Sequence, residues 1–229
     1  MKYRRIEGLL PGFVRLRILH FEASIDAAVR AFAAGLGSGE RLLDAGAGEC
    51  QHAPFFARQR YVGVDLGVGD AAWDYRRLDA LADLAALPFA SDTFDGAISI
   101  VTLEHVCEPL RALEEIHRAL RPGASLLLIV PHEWEVHQSP HDYFRYTRHG
   151  VAWLLDQAGF AEWDIQPVGG YFRLLARRLL NGLQFFHGIW LPLAAIFLVP
   201  PALLLPSLDW LDKDRNFTLG YICIARKPL

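Results

Sequence analysis

The sequence predicts a doubly wound α/β domain built on a mostly parallel sheet, and three observations carry that prediction. Short apolar runs alternate with stretches of helical periodicity from residue 21 onward. The runs at 42–43, 61–64 and 125–130 lack the polar alternation of half-exposed strands, as strands covered on both faces require. Glycines follow the first run closely, at Gly46 and Gly48, where sheets of this kind open toward a ligand.

Taken in order, residues 23–36 place apolar side chains at helical spacing, and Gly35, Gly37 and Gly39 end the helix. Residues 41–45 form the first strand. Residues 49–59 read as a helix with Pro54 in its first turns, where a missing N–H is tolerated. Residues 61–65 and 94–101 read as further strands. A helix over 108–120 is broken by Arg121-Pro122-Gly123, and 125–130 is a fully buried strand. Thr147 caps a helix over 147–158, and the last strands are 161–168 and 218–226.

A length of 229 residues suits a single domain over 1–229. With 52% hydrophobic and 21% charged residues, disorder is excluded, and a net charge of −3 gives no pull toward nucleic acid. Cys50, Cys107 and Cys223 form no CxxC pair, which points to a reducing, cytoplasmic compartment and away from a zinc knuckle. Residues 1–20 form a basic segment: Lys2, Arg4, Arg5, Arg15 and Arg17 stand against Glu7 alone. It is either a solvated terminus or a surface-binding one.

The strand ends hold the candidate site. Asp44-Ala45-Gly46-Ala47-Gly48 closes the first strand in a turn that lets a ligand approach the backbone. Asp65 ends the second strand, where a carboxylate can accept both hydroxyls of a ribose. A dinucleotide fingerprint needs a small residue where Gln51 stands, and Asp44 and Glu49 would repel a pyrophosphate. Acid beside the turn instead suits a ligand with an ammonium or sulfonium group. S-adenosylmethionine (SAM) is such a ligand.

These residues resemble the motifs of class I SAM-dependent methyltransferases. Leu42-Leu43-Asp44-Ala45-Gly46-Ala47-Gly48 is similar to their first motif and Val62-Gly63-Val64-Asp65 to their second. Asp79-Ala80-Leu81, Leu87-Pro88-Phe89, Phe94-Asp95-Gly96, Leu103-Glu104-His105-Val106 and Leu120-Arg121-Pro122-Gly123 resemble the type 11, ubiquinone/menaquinone methyltransferase-like group. The likeness covers residues 40–165. It implies that Gly46 and Gly48 contact the methionine part of SAM with Asp44 nearby, and that Asp65 holds the ribose. It further implies that Leu66 packs on adenine, that Asp79 and Ala80 face its amino group, and that Ser99 belongs to the same cofactor site. The implied sheet has seven strands, the last antiparallel. S-adenosylhomocysteine (SAH) would be the product.

The acceptor is a separate question. Ser99-Ile100-Val101-Thr102 replaces the Asn/Asp-Pro-Pro-Tyr of amino-methylating DNA enzymes, which again argues against nucleic acid. The loop at 131–147 is rich in His, Tyr and acid, and His141 with Asp142 is the candidate base for a hydroxyl proton. His105, His132, Tyr143, Arg145 and Tyr146 are the candidate acceptor contacts, although loop-ordering hydrogen bonds would use the same residues. His132, His137 and His141 with Glu133 match no compact ligand template, so no metal is expected. The reading is therefore O-methylation of a small or lipid-linked acceptor. A catalytically silent module of the same fold, kept for membrane docking or partner binding, is the alternative.

The mean hydropathy of +0.18 is high for a soluble enzyme, and its source is local. No Asp, Glu, Lys or Arg occurs between Arg178 and Asp209. Residues 171–208 are expected as an apolar helical insert, with its prolines breaking any single straight helix. A single bilayer crossing would part the last strand from its sheet, so three roles stay open: an apolar lid, a membrane-interface contact or a homodimer face.

Overall fold

The computed structural model describes residues 17–70 and 72–229. Of the basic N-terminal residues only Arg17 falls within them. Contacts group the chain into two compact units. One comprises residues 25–166 and 220–229; the other comprises 167–219 together with the described residues 17–24.

The larger unit holds the sheet. Its strands are β1 (Arg41–Ala45), β2 (Arg60–Asp65), β3 (Ala80–Leu81), β4 (Phe94–Ile100), β5 (Leu120–Pro131), β6 (Glu162–Val168) and β7 (Gly220–Arg226). They lie in the order β3-β2-β1-β4-β5-β7-β6, and β7 runs antiparallel to β5. The seven-stranded sheet with a reversed last strand is the expected one. β5 is central: Leu126, Leu127, Leu128, Ile129 and Val130 are each wholly buried, so both faces of the strand are covered. Parallel pairing sets Ile100 beside Ile129, which makes the segments after β4 and β5 leave the sheet side by side.

Helix α1 (His20–Gly35) precedes the sheet, α2 (Pro109–Ala119) joins β4 to β5, and α3 (Arg148–Gln157) joins β5 to β6. Pro109 sits in the first turn of α2, where no donor is needed, and Ala112, Leu113, Ile116 and Ala119 form its buried stripe. Thr147 caps α3, accepting from the Gly150 N–H at 3.0 Å. One element differs from expectation. Residues 49–59 form turns and a short 3-10 helix (Ala53–Phe56) instead of a full helix. Cys50 takes a left-handed φ of 57°, which no helix interior accepts, and Pro54 withholds a donor.

The smaller unit contains α4 (Tyr171–Gly182), α5 (Trp190–Leu204) and a 3-10 helix (Leu205–Leu211). Asp209, 8% exposed, accepts from the Arg173 backbone N–H and pairs with Arg173 and Arg215, while Arg177 pairs with Glu22. As expected, no single straight helix runs through the segment, although Pro200 and Pro201 lie inside α5. Pro192 falls in the first turn, and Pro200-Pro201 come so late that the helix ends one turn later by tightening to 3-10 geometry. The helical run Trp190–Leu211 has a mean hydropathy of 2.0 over its apolar window, of which only 11% is buried.

Candidate active site

The carboxyl ends of β1, β2, β4 and β5 meet in one region of the larger unit. Gly46 has a φ of 90°, and a Cβ there would stand 2.0 Å from the Thr102 methyl, so the β1 turn is pressed onto the end of β4. Val101 holds a φ of 51°, strained for a β-branched residue, and its N–H donates to Ile129 at 2.8 Å. That reversal delivers Thr102 to the β1 turn, where its hydroxyl lies 3.1 Å from the Gly46 carbonyl.

Asp44 lies beneath the turn, 1% exposed. Its Oδ2 accepts from the Tyr61 hydroxyl at 2.5 Å, while its Oδ1 is buried without a hydrogen-bond partner. Burial pushes its carboxyl up to about 7; the Tyr61 hydrogen bond opposes that rise and the Asp65 charge adds to it. Asp65 ends β2 and fixes the turn, accepting from the Gly48 and Gly67 N–H groups at 2.9 and 2.8 Å. Leu66 follows it, 52% exposed. Asp79 commits one oxygen to the fold, accepting from Gly63 N–H at 2.9 Å, and Ala80 is half-buried in β3. Ser99 is a correction: it is wholly buried within β4 and offers no surface to a cofactor. Trp73, unforeseen from the sequence, packs against Gly48, 3.3 Å from where a Cβ would stand. No motif pointed to it, because it comes from the irregular segment between β2 and β3.

The 131–147 loop corrects more. Asp142, its side chain 2% exposed, is gripped by Arg145 at 2.7 and 2.8 Å and also accepts the His137 N–H. Those bonds hold its carboxyl down to about 2. Arg145 spends its remaining donors on the carbonyls of Trp134, Phe144 and Glu135, so no donor is left for an acceptor molecule. Tyr146 is buried, donating to the Leu103 carbonyl at 2.8 Å. His132 meets the Tyr146 carbonyl through Nδ1 at 2.7 Å. Arg145, Tyr146 and Asp142 therefore build the loop. His141 does not pair with Asp142; its Nδ1 lies 3.0 Å from the hydroxyl of Tyr143, which is 42% exposed. His105 meets the His141 carbonyl and His137 rather than open solvent.

A bare glycine turn, a buried carboxylate under it and a strand-end acid beside it can hold a cationic nucleoside. Residues 43–128 match the family described as a methyltransferase domain. This stretch is similar to a methyltransferase domain. Among similar proteins, a demethylmenaquinone methyltransferase of Renibacterium salmoninarum is 35% identical over 102 residues, 42% of this chain and 43% of that protein. The ubiquinone/menaquinone biosynthesis C-methyltransferase UbiE of Cereibacter sphaeroides is 27% identical over 143 residues, 53% of this chain and 56% of that protein. The chain thus spans about half the length of the curated relatives it matches. In fold, it resembles the Burkholderia thailandensis 1,6-didemethyltoxoflavin-N1-methyltransferase solved with SAH, with a TM-score of 0.58 at 21% identity over 91% of this chain and 80% of that one. The seven-stranded sheet and its helices have the Rossmann-like architecture of that structure.

Proposed function

We propose that the chain transfers a methyl group from SAM to an oxygen of a small apolar or lipid-linked acceptor. The observation that carries the reading is the placement of Asp44 and Asp65 around the β1 turn. The residues fit the cofactor: Asp44 Oδ1 is a buried carboxylate oxygen without a donor, close under the turn that would meet a cationic group. Asp65 keeps lone pairs for a ribose beyond the two amides it already accepts. Leu66 and Trp73 supply apolar surface for the base. When bound, SAM supplies an activated methyl group. The chain's own task is alignment, and removal of the acceptor proton, for which His141 is the available base.

The test is incubation with methyl-deuterated SAM and lipid extract, followed by mass spectrometry and NMR of labelled products. A deuterated methoxy group supports the reading. A methyl on carbon, as the name of the Cereibacter relative would suggest, overturns oxygen as acceptor, and no labelled product overturns the enzyme in favour of a silent module.

Asp44 adds a pH signature. A bound cation favours the ionised carboxylate, so affinity for SAM rises with pH as Asp44 loses its proton. Calorimetry should find affinity increasing about tenfold between roughly pH 6 and 8. Asp44→Asn should flatten that dependence.

We further propose that the segment within 171–208 seats the enzyme in a lipid interface at the cytoplasmic face. Phe185, Ile189, Trp190, Ile196, Phe197 and Leu204 are each at least 65% exposed, and the aromatics among them suit an interface. Both ends of the segment connect to strands of one sheet, β6 and β7, which favours lying on a bilayer over crossing it once. Sedimentation with anionic vesicles should recover the chain, and Ile196→Glu/Phe197→Glu should release it. A soluble dimer that ignores vesicles and dissociates on the same substitutions would assign the face to a second copy instead.

A further inference from the structure

We propose that Glu104, His105 and His137 form a binding site for a divalent transition-metal ion, of which zinc is the chemical type. Glu104 and His105 lie on the short 3-10 helix (Leu103–His105) after β4, and His137 comes from the loop after β5. The β4–β5 pairing brings these two segments together, and the three donor atoms lie within 4.8 Å of one another.

The hydrogen bonds fix the chemistry of both imidazoles. His105 Nδ1 faces the His141 carbonyl at 2.5 Å, and His137 Nδ1 faces the Glu135 carbonyl at 3.0 Å. A carbonyl only accepts, so each neutral ring carries its proton on Nδ1 and a lone pair on Nε2. Arg145 Nη2 also lies 3.5 Å from His137 Nδ1, but its two protons go to Glu135 and Asp142 at 2.8 Å. The two Nε2 atoms face each other at 3.1 Å. Two lone pairs so placed repel unless a cation lies between them. Two nitrogens bound to one tetrahedral zinc at about 2.0–2.1 Å would stand about 3.3 Å apart, close to the spacing found.

Glu104 supplies an independent observation. It is wholly buried, and neither carboxylate oxygen has a hydrogen-bond partner. Its Oε1 lies 3.7 Å from His105 Nε2, within the same cluster of donor atoms. A buried carboxylate with no donor is costly, and a cation held by the two imidazoles removes that cost. The outer layer fits too. Asp142 Oδ1 lies 3.9 Å from His105 Nδ1 and Asp142 Oδ2 3.6 Å from His137 Nδ1, and Arg145 fixes Asp142 in turn. Such carbonyl and carboxylate partners orient metal-binding histidines and make them more basic. Two histidines and one glutamate leave a fourth tetrahedral position for an oxygen ligand such as water. The set differs from the His132, His137, His141 and Glu133 group weighed in the sequence, sharing only His137.

The test is equilibrium dialysis of the full chain against zinc, with cobalt(II) as a spectroscopic probe. One zinc per chain and the intense visible absorption of tetrahedral cobalt are expected. His137→Ala, on a partly exposed loop, and Glu104→Gln should each weaken binding by roughly 100-fold or more, while His149→Ala should not. SAH calorimetry on the same samples reports folding and cofactor binding separately, so loss of the metal site and loss of the methyltransferase reading are distinguishable. Zinc bound no better by the wild type than by His137→Ala, or octahedral cobalt spectra, would overturn the site.

Discussion

Replacing Asp65 by alanine is expected to weaken SAH binding at least about 100-fold, and to lower the thermal midpoint by several degrees because two amides lose their acceptor. The size follows from hydrogen bonds to a charged group, worth about 1.5–3 kcal/mol each, two of which a ribose would lose. The substitution also frees the Gly48 and Gly67 amides that Asp65 now holds, so the turn meeting the cofactor loses its anchor. Asp65→Asn keeps one acceptor oxygen and should fall between the wild type and alanine. Calorimetry with SAH checks all three. Wild-type affinity in Asp65→Ala would mean that the end of β2 plays no part in binding.

The largest stability effect is expected at Arg145. Arg145→Ala would strand the buried Asp142 carboxylate and release the carbonyls of Trp134, Glu135 and Phe144. Removing one partner of a buried ion pair costs about 3–5 kcal/mol, which for a chain of this size lowers the midpoint by roughly 10 °C. Lysine should rescue little, since one ammonium cannot supply the forked contact. The wild type carries a matching acid sensitivity. The Asp142 carboxyl is held below its usual range, so its stabilisation is present above about pH 4 and is lost as pH falls toward 2. Thermal melts separate this from the role expected from sequence: a residue that only bound the acceptor would leave the midpoint alone and raise KM.

That contrast shows where the sequence was legible. Apolar runs dictate strands wherever both faces are covered, so β1, β2, β4 and β5 fall close to the expected places, and Asp65 is found because it ends one of them. The helix expected over 49–59 fails because the left-handed Cys50 is a demand of the tight turn, invisible to periodicity. Arg145 and Asp142 read as reactive because their types are reactive. Only through-space geometry reveals that they consume one another. Glu104 is the reverse case: it passed as part of a family motif, and its chemistry emerges from total burial and the approach of a histidine 33 positions later.

The β1 turn and its two carboxylates form the proposed cofactor cradle. Titrating the purified, ligand-free chain with SAH in a calorimeter tests this most directly. A saturable isotherm with one SAH per chain, lost in Asp65→Ala, is the result expected. A flat titration for the folded wild type would contradict it.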